Sequence, residues 1–281
     1  MSRKVDLHTH STYSDGTLEP EDLIQNAQKQ KITHLALSDH DSTGGLAAAR
    51  NRAKEFDITI IPAVEINTRD NETSAAVHIL GYFLEETDIN FQKVLTQHRE
   101  IRAQRAQMII ARLHTMGIKL YLSDFDNGKN EGAVGRPHIA DKLKEMGVVF
   151  SRQEAFDKYL SQGRPAFVAY ENGPTPKDAI DAILSAKGIP VIAHPGYYVS
   201  KETILSLAEM GLQGVEVYYP SHSKDLVKTL LGFTAEHKLL ATGGSDYHGP
   251  GSGHERLGEI AVPEETIDLL LERKYAIHNV N

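Results

Sequence analysis

The chain has 281 residues, 40% hydrophobic and 24% charged, with a formal net charge of −8 and no cysteine. The length suits one large domain, or one domain carrying an insert, with room for a substantial core. Disulfides and thiolate metal sites are excluded, the acidic balance argues against bulk nucleic-acid wrapping, and no apolar run reaches the ~18 residues of a membrane span. The N-terminal MSRKVDLHTH leaves no room for a signal segment, so the expectation is a soluble cytoplasmic protein.

In chain order, VDLHT (5–9) reads as a strand and PEDLIQNAQKQK (20–31) as a helix opened by Pro20 at its first position. THLALSD (33–39) is a second strand and GGLAAARNRAKEF (44–56) a second helix. ITIIPAVEI (58–66) and AVHILGYF (76–83) are two further strands. This alternation points to an α/β protein with a mainly parallel sheet covered by helices. The rhythm then breaks. Residues 92–117 form one long helical stretch with Val94, Leu95, Ile101, Met108, Ile109, Leu113 and Met116 as its core-facing stripe and Gly117 as its stop. A loop at 123–135 and helices around 137–146 and 151–160 follow. Residues 92–172 are therefore read as a helical insertion over the active site, and 1–91 with 173–281 as the barrel body. The body resumes with a helix at 175–188, capped by Thr175 and started by Pro176. Strands are expected at 189–195, 213–220 and 239–246, with a helix at 221–238.

Polar residues fall where the strands end. His8 and His10 close the first strand, His40 follows the second, Glu65 ends the third, His78 lies in the fourth, and His194 ends the strand before Pro195. Asp246 and His248 follow the last strand, and Asp15 lies in the loop after the first. Parallel barrels gather such ends on one face. Strand side chains alternate with period two, so His8 and His10 point the same way and can grip one metal ion. A lone histidine at a strand end is usually a surface or hydrogen-bonded core residue. Clustering nine imidazoles and carboxylates without a metal would leave costly buried polar atoms.

The segments VDLHTHSTYSDGT, SDHDSTGG, PAVEI, AVHILGY, IAHPG and TGGSDYHG, in this order, resemble the successive motifs of the PHP (polymerase and histidinol phosphatase) superfamily. The resemblance implies a distorted (β/α)7 barrel with a three-metal cluster. It assigns His8, His10, Glu65 and Asp246 to one ion, Asp15, His40 and His248 to a second, and Glu65, His78 and His194 to a third, with Glu65 bridging. Manganese is the ion expected first, with iron or zinc as alternatives. The insert, with GRPHIADKL and SQGRPAF, is similar to the subfamily of nucleoside 3′,5′-bisphosphate phosphatases, some of whose relatives are 5′→3′ exoribonucleases.

Three divalent ions would outweigh the three carboxylates and leave a pocket suited to a phosphate dianion, in which bound water is activated for phosphoester hydrolysis. The leading expectation is release of the 3′-phosphate from a nucleotide carrying 3′- and 5′-phosphates. The alternatives are 5′-end trimming of short RNA, a histidinol-phosphate phosphatase, and a non-catalytic metal-binding module. No protein or membrane partner is evident. Asp15 is expected at the catalytic centre. His222, which matches a subfamily histidine, is expected to contact phosphate or protonate the leaving oxygen. Arg136 and His138 flank Pro137 at a helix start, which suits an anion. With Arg164 they are expected to hold a second phosphate, against the alternative of surface salt bridges. Arg99, Arg102, Arg105 and Arg112 read as a solvated face in preference to an RNA track. Asp39 and Asp41 either orient His40 or cap a turn. Gly243 and Gly244 are expected to let the backbone approach the metals. His34, His98, His114, His237, His254 and His278 are read as structural.

Overall fold

A computed structural model describes residues 3–69, 77–125, 133–196 and 198–279. Seven strands lie side by side in sequence order: β1 (Val5–Thr9), β2 (His34–Leu37), β3 (Thr59–Asn67), β4 (His78–Tyr82), β5 (Ile189–Ile192), β6 (Gly214–Tyr218) and β7 (Leu240–Gly243). A parallel bridge from Thr9 to Tyr247 brings the last edge back to the first, so the sheet nearly closes into a barrel. The β1–β2–β3 and β5–β6–β7 pairings are parallel, as expected, but β4 runs antiparallel to both neighbours. Its first residue, His78, therefore stands at the same end as the last residues of the other strands. Ala76 of the expected fourth strand, and residues 126–132 of the expected loop at 123–135, lie outside the described residues.

Helices cover the sheet: α1 (Pro20–Lys29), α2 (Leu46–Ala53), α3 (Ile89–Thr115), α4 (Arg136–Glu145), α5 (Arg152–Ala155, continuing as a π-helical turn over Phe156–Leu160), α6 (Pro176–Ser185), α7 (Lys201–Glu209), α8 (Lys224–Glu236) and α9 (Thr266–His278). The start signals act as anticipated. Pro20 opens α1, and Thr175 accepts from the Asp178 N–H while the Asp178 carboxylate accepts from the Thr175 N–H at 2.8 Å. The helices α7 and α9 were not anticipated.

The long helix differs from expectation in its buried face. That face runs Phe91, Leu95, His98, Arg102, Ala106, Ile109 and Leu113, at three- and four-residue spacing. Met108 and Met116 are instead exposed, and Val94 and Ile101 are half-buried. Leu95, Ile109 and Leu113 are buried as expected, and a reading by hydrophobicity misplaces the rest of the stripe because the middle of this face meets polar loops, not a core. Phe91 and Leu95 join the main barrel cluster with Val64, Ile79 and Ile180. Ala106, Ile109, Ile110 and Leu113 belong to a separate cluster with Ile139, Leu143, Leu160 and Val168. Of the arginines only Arg112 is exposed, so they do not form one solvated face. Arg102 is buried, Arg99 donates to the Asp41 carbonyl, Arg105 to the Val168 carbonyl at 2.9 Å and Arg112 to the Phe167 carbonyl.

Candidate active site

The nine expected ligands converge at the barrel mouth around Glu65. Glu65 Oε2 lies 3.2 Å from His8 Nε2, His10 Nε2 and His40 Nδ1, while Oε1 lies 2.8 Å from His78 Nδ1 and 3.1 Å from His194 Nε2. Asp246 Oδ1 approaches His8 and His10 Nε2 at 3.3 and 3.2 Å. Asp15 faces His248 Nε2 at 3.2 Å and His40 Nε2 at 3.7 Å. Both His194 and Asp246 hold left-handed backbone, at φ 26° and 52°. Such conformations persist only where the surroundings enforce them.

Electrostatics follow from this crowding. Burial alone would raise the Asp15, Glu65 and Asp246 carboxyls, but the surrounding imidazoles outweigh it and hold all three well below the ordinary range. Burial opposes charge on His10, yet Asp246 and Glu65 pull it up to about 10. At His40 burial wins and the imidazole falls to about 3, which keeps it neutral and ready to coordinate.

The donor set fits divalent cations. Buried His10 Nε2, Asp15 Oδ1 and Asp246 Oδ1 have no hydrogen-bond partner among the described residues. An unpaired buried polar atom costs about 1–3 kcal/mol, which a cation removes. Three groups bring their ligand atoms within 4.8 Å of one another: His8, His10, Glu65 and Asp246; His10, Asp15, His40 and His248; and His40, Glu65 and His78. The first matches the expected set. The second adds His10, and the third holds His40 in place of His194, which still meets Glu65 directly.

Outer contacts orient these ligands. Glu216 accepts from His8 Nδ1 at 3.0 Å and from the His194 N–H at 2.8 Å. The sequence reading passed over it, although a fully buried acid between Val215 and Val217 is itself a signal. Asp39 binds the Ser11 N–H and the Ser11 and Ser14 hydroxyls, each at 2.7 Å, and so braces the loop after β1. Asp41 instead meets Arg102 at 2.9 Å, Asn67 at 3.2 Å and His98 at 3.5 Å. Tyr219 donates to Asp246 Oδ2 at 2.9 Å, and His254, read as structural, lies 3.5 Å from the same oxygen. A Cβ on Gly244 would stand 2.4 Å from the His8 nitrogen, so this glycine permits close packing on β1, and Gly243 likewise on Tyr218 of β6. Replacing Glu216 with alanine should lower metal affinity about 10–100-fold, the scale for losing such a support. Titration of metal-depleted protein checks this, and an unchanged midpoint would refute the bracing role.

A cavity of about 590 Å³ opens beside the cluster. Asp15, His40 and His78 line one part of it, and Arg102, Arg105, Arg136, Phe156, Phe167 and Tyr170 from the insert line another. The other expected substrate contacts stand elsewhere. His138 accepts the Gly135 N–H on Nδ1, and its Nε2 donates to the Ser14 carbonyl at 2.8 Å, so it fastens α4 to the loop after β1. Arg164 is exposed and outside the cavity lining. His222 has both ring nitrogens engaged, with the Val217 carbonyl at 2.9 Å and the Gly196 N–H at 3.2 Å, and steadies the turn after His194.

The near-closed barrel and its histidine–carboxylate mouth define a metal-dependent phosphoesterase. The chain matches the PHP domain over residues 6–164 and belongs to that family. It is 36% identical over 258 residues to a 5′-3′ exoribonuclease of Haemophilus influenzae, spanning 89% of this chain and 92% of that one. Over 263 residues it is 35% identical to a 3′,5′-nucleoside bisphosphate phosphatase of Chromobacterium violaceum, spanning 90% of each. A solved structure from Bifidobacterium adolescentis, assigned to the metal-dependent phosphoesterases, superposes with a TM-score of 0.88 at 29% identity over 97% of both chains. Among the described residues no helix is long and apolar enough to cross a membrane.

Proposed function

We propose that this enzyme hydrolyses the 3′-phosphate of nucleoside 3′,5′-bisphosphates, such as 3′-phosphoadenosine 5′-phosphate, to give a 5′-nucleotide and phosphate. The supporting observation is the single cavity that joins the histidine–carboxylate cluster to an arginine- and aromatic-lined wall. Its volume falls in the range of small-molecule sites. The reading places three divalent ions, manganese first, on His8, His10, Asp15, His40, Glu65, His78, His194, Asp246 and His248. Bound there, they supply activated water and charge stabilisation for phosphoryl transfer. The chain's own part is to hold the imidazoles and ionised carboxylates in place and to keep Asp15 at the cavity edge, beside the reacting phosphate. The relationship to the Haemophilus exoribonuclease favours one second reading, in which the same site trims short RNA from its 5′ end.

With manganese present, phosphate release from 3′-phosphoadenosine 5′-phosphate is expected to exceed product formation from 5′-labelled RNA oligomers, and chelation is expected to abolish both. The reverse ranking would favour the exonuclease. No turnover of either substrate, or fewer than two bound ions per chain, would overturn the scheme.

A further inference from the structure

We propose that Tyr219 is a positioning residue for the reaction: it ties down one oxygen of Asp246, makes this carboxylate a single-oxygen ligand, and so keeps a position open to water on the ion assigned to His8, His10, Glu65 and Asp246. This rests on the metal-centre reading above and not on the choice of substrate. The two oxygens of Asp246 have different surroundings. Oδ1 faces the other ligands, 3.3 and 3.2 Å from the Nε2 atoms of His8 and His10, and has no hydrogen-bond partner among the described residues. Oδ2 faces away from them and accepts from the Tyr219 hydroxyl at 2.9 Å. His254 Nδ1, at 3.5 Å, stands beyond ordinary hydrogen-bond distance of Oδ2.

The main chain of Asp246 is anchored on both sides. The preceding Ser245 is held on the buried Asp6 by its N–H at 2.9 Å and its hydroxyl at 2.6 Å. The Asp246 carbonyl accepts from His248 Nδ1 at 2.7 Å. The carboxylate can therefore turn but not withdraw, and the Tyr219 hydroxyl sets its turn. The phenol is itself fixed. Its ring centre lies 5.2 Å from those of His194 and His222, and His222 is locked in turn by the Val217 carbonyl and the Gly196 N–H. The donated hydrogen occupies a lone pair of Oδ2 that an ion would otherwise compete for. Carboxylates bind divalent ions through one oxygen or through both. With both oxygens on the ion, Asp246 would take the place that water needs. An open position is what separates a catalytic metal site from a closed structural one.

The test is Tyr219→Phe, which keeps the ring against His194 and His222 and removes only the hydroxyl. Metal-depleted protein reloaded with Co2+ reports the number of ligands through its visible absorption, which weakens as coordination number rises. The variant is expected to absorb more weakly than the parent, to titrate with metal at an unchanged or lower midpoint, and to keep the melting temperature of the metal-depleted protein. With manganese, kcat for phosphate release from 3′-phosphoadenosine 5′-phosphate should fall about 10–100-fold, the scale for losing a residue that supports a metal ligand, while KM holds. Retained metal with reduced kcat is the opposite of the metal loss expected for Glu216→Ala. Cobalt absorption equal to the parent's would overturn the proposal, whether or not kcat falls. A weaker metal midpoint would also overturn it, since the hydroxyl would then only brace the ligand. An enzyme that turns over no nucleotide would refute the substrate reading, and the cobalt absorption would still decide the role of Tyr219.

Discussion

Replacing Glu65 with glutamine should reduce phosphate release at least about 10²–10³-fold, the cost of removing one preorganised electrostatic element from a reaction centre. Glu65 is 1% exposed and meets five imidazoles, three on one oxygen and two on the other. Among the described residues, no other carboxylate meets imidazole nitrogens of both sets. An amide keeps the shape but loses the charge, and its NH₂ group cannot accept from imidazole or bind a cation. The loss should therefore appear in kcat and in metal content together. Phosphate-release kinetics with metal analysis on the same sample checks this. Full metal content with unaltered kcat would remove Glu65 from the centre of the site.

The second large effect concerns stability. Asp41→Ala should destabilise the fold by about 3–5 kcal/mol, because it strands Arg102 as a buried charge without a partner. Asp41 is fully buried in a left-handed conformation at φ 51°. Burial would raise its carboxyl, but His98 and Arg102 outweigh this and hold it at about 2. A depressed folded value means that the stabilisation is complete above the ordinary carboxylate range and is lost as pH falls towards 2. Urea unfolding at neutral pH measures the loss. The double variant Asp41→Ala/Arg102→Met should recover much of it, since neither charge is then left alone. A single-variant loss below about 1 kcal/mol would show that the pair is not what docks α3 on the barrel.

Strand periodicity made most of the mouth legible. His8 and His10, same-side neighbours on β1, lie where alternation put them, and Pro20, Thr175 and Pro176 open their helices as their chemistry dictates. His78 was harder to place. At the start of a strand it would sit at the far end of a parallel sheet, and only the reversal of β4, which no local pattern encodes, returns it to the mouth. Glu216, Asp41 and Arg102 were missed or misjudged for a related reason. Each is a charged group satisfied by a partner distant in sequence, so its burial depends on tertiary pairing and not on its neighbours. His138, Arg164 and His222 show the converse: a suggestive local setting does not reveal that His138 and His222 have both nitrogens engaged, or that Arg164 faces outward.

The reversal of β4 has a consequence for how such an enzyme diversifies. It delivers the chain to the base of the barrel at Tyr82, and α3 must climb from there. Its 27 residues span about 40 Å, more than twice the length of a five-residue strand. The lower part of this rod is anchored among barrel side chains, its middle is pinned at Asp41, and its top builds the cluster that carries Arg136 and Phe156. On the proposed reading of the site, mutations near the top reshape which molecule is admitted without disturbing the residues that decide which bond is cut. Selection thus has separate handles on recognition and chemistry, linked by one shaft.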